Sequence, residues 1–205
     1  MTVTGKMFGS CIVKAFNKEI DFDTDAVKVM LCTNLYTPNQ ETHAYKSDVT
    51  NEVVGTGYIA RGQALASKAI AFFGPNTSTA WAASTAYALG DVRRPTAANG
   101  HVYVCTVAGT SGAAAPAWPT ASGGTVVDGG VTWTEAGANL LRLDAADTTW
   151  AASTITARYA VIYEDTGTDT TSALFGYLDF GVDSVSSSGN FTITWAAFGL
   201  FYFNI

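Results

Sequence analysis

The sequence predicts a mostly β protein: a discontinuous β-sandwich with a short N-terminal helix and a small inserted β module. Short apolar runs alternate with turns rich in Gly, Asp and Ser. The composition shifts at Asn76 toward Ala, Gly, Thr and Pro, and strand-like runs resume after Gly137. We therefore assign residues 1–77 and 138–205 to the sandwich and residues 78–137 to the insert. An insertion at an exposed loop tip costs little loop entropy.

The first predicted element is a short amphipathic helix over about residues 6–17. Its apolar residues recur with a helical spacing that places them on one face. They are Met7, Phe8, Cys11, Ile12, Ala15 and Phe16. Such a helix offers one apolar face for packing.

Strands are predicted on both sides of the insert. Residues 26–33 (AVKVMLCT) form a buried strand, and residues 63–73 form a longer strand that Gly74 and Pro75 end. Residues 36–48 carry turn and cap residues, which predict a loop with room for one helical turn. Beyond the insert the predicted strands are 139–143, 157–163, 174–180 and 190–195, with turns at 144–147, 165–169 and 184–189.

Charged residues are scarce, at 14% of the chain against about 25% in typical proteins. Two interpretations stay open: partner subunits cover much of the surface, or the surface is neutral but polar, rich in Thr, Ser and Gly. The net charge of −6 and the absence of a basic run among 11 Lys and Arg predict no nucleic-acid binding. No stretch of about 18 apolar residues occurs, so no membrane span is predicted.

Three cysteines, Cys11, Cys32 and Cys105, form no CxxC pair. An odd count without that spacing argues against a secreted disulfide framework and indicates folding in a reducing cytoplasm. We expect each cysteine to be a small core residue.

The sequence offers little for catalysis, and we predict no enzyme, no catalytic residues and no cofactor. The only histidines are His43 and His101, without HExxH, GxSxG, a P-loop or a dinucleotide fingerprint. Asp21, Asp23 and Asp25 alternate, so an extended backbone would put them on one face, where they could bind Ca²⁺. The segment lacks the Gly and the later Glu of a calcium loop. This favours a solvated strand entry that caps local backbone N–H groups, and no metal is predicted.

Aromatic residues are regularly placed in the insert. Such rings either stack on pyranose rings or fill the module's core, because about 60 residues can bury only a few large side chains. Trp81, Tyr87 and Trp133 are predicted to lie in the core. The candidate glycan contacts are Trp118, which lies in a loop-like context beside Pro119, and Tyr103. If the insert binds sugar, these two rings should be exposed and roughly coplanar.

The C-terminal run is aromatic and almost uncharged. It contains Phe198, Phe201 and Phe203. If such a strand were exposed at the edge of a sheet, it would promote aggregation. We predict that it is the last strand of the sandwich and also borders a subunit interface formed by these three residues.

The insert resembles small β modules of phage structural proteins and, more remotely, chitin-type carbohydrate-binding modules. The resemblance covers most of residues 81–134. The residues on which it rests are Trp81, Tyr87, Gly90-Asp91-Val92, Tyr103, AGTSG at 108–112, Pro116, Trp118-Pro119 and DGGVTW at 128–133. The resemblance implies a carbohydrate-binding-like module.

The flanking halves resemble structural proteins of tailed-bacteriophage virions. The stretches that carry the resemblance are IDFDTDAVKVMLCTNLYTPNQETH (20–43), DVTNEVVGTGY (48–58), LLRLDAADTTWAASTITARYAVIYEDTG (140–167) and LFGYLDFG (174–181). It implies a capsid decoration protein, of the cement or head-surface type, whose insert faces outward. The alternative it implies is a neck, tail or fibre component whose insert binds host-surface glycan.

These resemblances set the expected partners and location. The partners are further copies of the chain, with a trimer as the first expectation from the symmetry of capsid surfaces, and other virion proteins such as the major capsid protein. Under the alternative they include a surface glycan. The expected location is the virion, assembled in the bacterial host cytoplasm. The acidic balance suits the outside of a particle better than its DNA-lined inside.

Overall fold

The computed structural model describes residues 5–205, of which strands make up the largest part. The structure has 44% strand and 5% helix, which confirms the mostly β class with one short N-terminal helix. Its antiparallel sheets are consistent with a sandwich-like fold. The elements are β1 (Lys6–Met7), α1 (Gly9–Phe16), β2 (Val27–Cys32), a 3₁₀ turn (Lys46–Asp48), β3 (Gln63–Ala64), β4 (Ala69–Phe73), β5 (Ala86–Tyr87), β6 (Val92–Arg93), β7 (Tyr103–Val107), β8 (Gly109–Thr110), β9 (Thr125–Asp128), β10 (Val131–Glu135), β11 (Leu140–Asp144), β12 (Thr148–Glu164), β13 (Leu174–Ile193) and β14 (Phe201–Asn204).

The chain divides into two compact units. The first contains the residues up to Ala69 together with Ala145–Trp195, and the second contains Ile70–Asp144 together with Ala196–Ile205. This differs from the predicted boundaries of 1–77 and 138–205 against 78–137, and residues 1–4 of the predicted sandwich lie outside the described residues. The reason is a long-range pairing: β14 lies antiparallel to β11, so the C-terminal strand joins the second unit.

A five-stranded antiparallel sheet forms the frame of the first unit, in the order β1-β13-β12-β2-β3. The strand predicted over residues 26–33 is confirmed as β2, in which all residues except Lys28 are buried. One core cluster of this unit contains Phe8, Met30, Cys32, Tyr36, Val161, Tyr163, Leu174 and Tyr177. The apolar run of β2, interrupted only by Lys28, therefore reflects burial on both faces of the sheet.

The β12–β13 hairpin is much longer than predicted. Residues 184–189 were expected to be a turn, but they continue β13, with Ser186 opposite Ile155 and Gly189 opposite Ser153. The buried hydroxyl oxygens of Ser153 and Ser186 are 2.8 Å apart and share a hydrogen bond. Paired hydroxyls make a serine-rich strand possible, because buried polar groups need partners.

Residues 63–73, predicted as one strand, form two. β3 pairs with β2, whereas β4 lies beside β11 in a three-stranded sheet of order β14-β11-β4. Between them Ser67 has a φ of 51°, in the left-handed region that non-glycine residues rarely adopt. That backbone turn interrupts the extended run.

Helix α1 is shorter than predicted and is only partly oriented as expected. Phe8, just before it, and Cys11 are buried, but Phe16 is 85% exposed. The helix instead buries Lys14, whose ammonium lies 3.6 Å from the centroid of the Tyr45 ring and 3.2 Å from a carboxylate oxygen of Glu19. The prediction of one buried apolar face is therefore wrong for Ile12, Ala15 and Phe16, all of which are exposed.

An ion-pair network fixes the loop between β12 and β13. The Arg61 guanidinium donates to both Asp165 and Asp169. Lys28 lies 2.6 Å from Asp165, and Lys46 lies 3.0 Å from Asp169. Burial works against the charge of Asp165, but the hydrogen bonds from Arg61 and Lys28 outweigh it and hold the pKa of this carboxyl well below its usual value.

The second unit holds a four-stranded antiparallel sheet in the order β6-β7-β10-β9, the β5–β8 pair and the β14-β11-β4 sheet. Strand β7 separates two cores because successive side chains point to opposite faces. Tyr103 and Cys105 lie in a cluster with Trp81, Tyr87, Val131 and Trp133. Val104 lies in a second cluster, with Val92, Val102, Ala136 and Leu140.

Candidate functional site

A buried carboxylate organises the aromatic core of the second unit. Asp128, at the end of β9, accepts hydrogen bonds from the indole Nε1 of Trp81 at 2.7 Å and of Trp133 at 3.0 Å, both at Oδ2. Its Oδ1 accepts the backbone N–H of Gly112 at 2.8 Å. These three donors satisfy a charge that would be costly to bury alone. Three separate stretches that carry the module resemblance therefore meet at one structural centre.

The other residues of the resemblance also have structural roles. The Tyr87 ring packs edge-on against Trp133 with centroids 4.8 Å apart, and its hydroxyl accepts the Ala82 N–H at 2.8 Å. Asp91 accepts the Ala88 N–H at 2.9 Å and closes a turn. The predicted core positions of Trp81, Tyr87 and Trp133 are confirmed.

Tyr103 is not an exposed glycan platform. Its side chain is fully buried, and its hydroxyl donates to the Pro119 carbonyl at 2.8 Å and accepts from the Asn99 amide at 2.7 Å. The ring is tilted by 47° from that of Trp118, at a centroid distance of 4.5 Å. The expectation of an exposed, coplanar pair is therefore wrong, because Tyr103 completes the core of the module.

Trp118 is half-buried and packs against the same aromatic core. Its ring centroid lies 5.8 Å from that of Trp133. The neighbouring Ala117 and Thr120 are exposed. One partly covered indole can make a single stacking contact, but the second ring that the glycan hypothesis needs is inside the module. Sugar contact at Trp118 stays a prediction.

A His–Glu pair, which the sequence analysis did not identify, lies beside this core. The Glu135 side chain is 3% exposed, and its Oε1 lies 2.7 Å from Nδ1 of His101. The carboxylate also accepts the backbone N–H groups of Gly123 and Gly137. All of its described contacts join loops to β10. The pair therefore stabilises the position of these loops against β10. Nothing in the local sequence signals it, because 34 residues separate the two side chains.

The Asp21, Asp23 and Asp25 segment is a capped turn at the entry to β2. Asp21 accepts the backbone N–H groups of Asp23 at 3.1 Å and Thr24 at 3.3 Å. Asp25 accepts the Asp21 N–H at 2.5 Å. These carboxylates therefore cap local backbone N–H groups, which is the role that the sequence favours over Ca²⁺ binding. Within residues 5–205 no group of three or more His, Cys, Asp or Glu is suited to hold a metal ion.

The three cysteines are buried free thiols. Burial raises the pKa of Cys11 and of Cys32 to about 12 in each case. Because the thiolate is the reactive form, both side chains stay protonated and unreactive near neutral pH. They act as small core residues, as expected.

The C-terminal aromatic residues differ in exposure. Phe201 is 3% exposed and therefore offers almost no surface to a partner. Phe198 is half-buried with its ring 4.9 Å from that of Tyr202, and Phe203 is half-buried opposite Leu141. An interface role stays a prediction for Phe198 and Phe203, whereas burial argues against direct contact by Phe201.

Large apolar side chains remain in solvent on the first unit. Phe16 is 85% exposed, Leu35 74% and Val54 97%. Other large apolar residues that are exposed on this unit are Ile12, Val13, Ile59, Val182 and Val185. Single exposed apolar residues are ordinary, whereas groups of them mark contact surfaces. Burial of Lys14 in place of Phe16 is the contact that sequence periodicity could not predict.

A comparison of the chain with protein-family models, curated proteins and solved structures gives no match. No helix among residues 5–205 has the length and apolar character needed to cross a membrane.

Proposed function

We propose that this chain is a non-enzymatic structural component of a tailed-phage particle: a capsid decoration protein that assembles with copies of itself on the head. The observation that carries the proposal is the number of large apolar side chains exposed on the first unit, among which Phe16 is 85% and Val54 97% exposed. A chain with only 14% charged residues keeps such a surface soluble most readily when neighbouring subunits cover it. The resemblance of the sequence to virion proteins indicates that this assembly is a phage particle.

The internal polar groups also support a structural role. Asp128, Glu135 and the Arg61 network each tie loops or strands together through hydrogen bonds to neighbours within the chain. A decoration subunit needs this kind of stiff scaffold and needs no active site. The proposed partners are further copies, with a trimer as first expectation, and the major capsid protein.

The alternative, a neck, tail or fibre component that binds glycan, has weaker support. It relied on two exposed rings, and the burial of Tyr103 leaves only Trp118. We propose that the insert, residues 78–137, faces outward as a structural module.

A cryo-EM map of the intact particle tests the assignment. The proposal expects density for this chain in regular positions on the outer surface of the head. Density at the neck or tail would instead support the alternative location, and density inside the head would contradict the proposal.

A further inference from the structure

The loop between β6 and β7 contains the only Asn-Gly dipeptide of the chain, Asn99-Gly100. Both residues are exposed, so water reaches them directly. Asparagine is a chemically labile residue, because the backbone nitrogen that follows it can attack its side-chain amide. The attack is least hindered when the following residue is glycine, which has no Cβ. The sequence therefore places its least hindered asparagine in this exposed loop.

The backbone nitrogen of Gly100 is accessible for such an attack. Gly100 has a φ of 87°, and no atom lies within 4 Å of the position that a Cβ would occupy. Within residues 5–205 its backbone N–H has no hydrogen-bond partner. A hydrogen bond would have to break before this N–H could lose its proton, so its absence removes one barrier to the reaction.

The side chain of Asn99 is held by two hydrogen bonds. Its Oδ1 accepts the backbone N–H of His101 at 3.1 Å, and its Nδ2 donates to the Tyr103 hydroxyl at 2.7 Å. An attack on Cγ places negative charge on Oδ1, and a donor that already points at this oxygen stabilises the charge. The His101 N–H therefore lowers the barrier to attack.

We propose that Asn99 is a site of spontaneous deamidation in the folded chain. The Gly100 nitrogen loses its proton to solvent base and forms a bond to Cγ of Asn99. The bond from Cγ to Nδ2 then breaks, and the nitrogen leaves as ammonia after taking a proton from solvent. Water opens the resulting cyclic succinimide, at Cγ to give aspartate or at the main-chain carbonyl to give isoaspartate. The net change is the addition of water and the loss of ammonia.

The product changes a contact that holds the loop between β8 and β9, which contains Trp118. The Tyr103 hydroxyl has a single proton, which it donates to the Pro119 carbonyl at 2.8 Å. A carboxylate at position 99 accepts hydrogen bonds but donates none, so it competes with Pro119 for that proton. Deamidation of Asn99 therefore weakens the attachment of this loop to β7. The inference goes beyond the proposed function and does not depend on it.

Incubation of the folded full chain, followed by peptide mass spectrometry, tests the reaction. Asn190 is the internal control, because it is also exposed but precedes Phe191. We expect Asn99 to convert about tenfold faster than Asn190 or more, because Gly100 has no Cβ to hinder ring closure. Conversion should be faster at mildly alkaline than at mildly acidic pH, because the Gly100 N–H must lose its proton. Asn99→Gln keeps the amide but needs a larger ring, so it should abolish conversion at this position.

Hydrogen exchange measures the effect on the Trp118 loop. The backbone N–H of Gly123 donates to Glu135, and that of Gly124 donates to the Ala121 carbonyl. We expect both amides to exchange about fivefold faster in Asn99→Asp than in the fresh wild-type chain.

Three results would overturn the inference. Conversion of Asn99 no faster than that of Asn190 would show that the loop does not favour the reaction. Conversion of Asn99 only after unfolding in urea would show that the fold protects it. Unchanged exchange at Gly123 and Gly124 in Asn99→Asp would contradict the effect on the loop. The comparison with Asn190 needs no variant, so it decides the first point even if Asn99→Gln fails to fold.

Discussion

The Trp81 indole donates a 2.7 Å hydrogen bond to the buried carboxylate of Asp128, although 47 residues separate them in the chain. Trp133 donates to the same oxygen at 3.0 Å. The carboxylate therefore joins the segment before β5 to β10. This relationship gives Trp81, Asp128 and Trp133, which carry the module resemblance, a structural role in the core.

Replacing Asp128 with Asn should destabilise the second unit. An amide can accept at only one of its two positions, so at least one indole or backbone N–H loses its partner inside the core. We expect the free energy of unfolding to fall by about 3 kcal/mol. Chemical denaturation followed by tryptophan fluorescence measures this. Asp23→Asn, at an exposed site, is the matched control and should be neutral; equal stability of the two variants would contradict the account.

The Arg61 network predicts a loss of stability in acid. The pKa of Asp165 is below its usual value, and a carboxyl with a depressed folded pKa stabilises the fold fully above its unfolded pKa of about 3.9. That contribution disappears as the pH falls toward the folded pKa. We expect the unfolding free energy to drop between about pH 5 and pH 2.

Asp165→Asn should remove much of this acid dependence. It should also cost about 2 kcal/mol at neutral pH, because Arg61 and Lys28 lose a partner that is only 10% exposed. Urea unfolding at a series of pH values measures both effects. The same acid slope in wild type and variant would show that other carboxyls control the transition.

Tyr103→Phe separates a structural role from a binding role. The substitution keeps the ring but removes hydrogen bonds to Pro119 and Asn99, so we expect a loss of about 1 kcal/mol in stability. Titration with chitin oligosaccharides, followed by tryptophan fluorescence, provides the second readout. Unchanged stability together with weakened sugar binding would restore Tyr103 as a glycan contact.

The first unit should fold without the second. Ala66 and Ala146 are joined by a 2.8 Å backbone hydrogen bond, so a short Gly/Ser linker can replace residues 70–144 in a variant that ends at Trp195. We expect this variant to unfold cooperatively. Replacing only residues 79–137 should give a less stable and less soluble chain, because Leu140 then loses Val92, Val102, Val104 and Ala136. Cooperative unfolding of the second variant alone would contradict the division into these units.

Local patterns in the sequence predicted those elements whose burial follows from their own residues. β2 is apolar on both faces and lies where the pattern placed it. The aromatic core positions of Trp81, Tyr87 and Trp133 also followed from residue size in a small module.

Long-range contacts explain what the sequence did not predict. The C-terminal strand was assigned to the sandwich, but only its pairing with β11 decides its unit. Helix periodicity counted Phe16 as core because it cannot weigh the contact of Lys14 with Tyr45 and Glu19. The Glu135–His101 tie likewise depends on the register of β7 against β10, which no local signal encodes.

Quantitative mass spectrometry of purified phage particles tests the central claim, that this chain is a structural part of the virion. We predict that the chain is present in hundreds of copies, in a fixed ratio to the major capsid protein, as symmetric decoration requires. A count of about six to a dozen would place it at the neck or tail. Absence from purified particles would contradict the structural role.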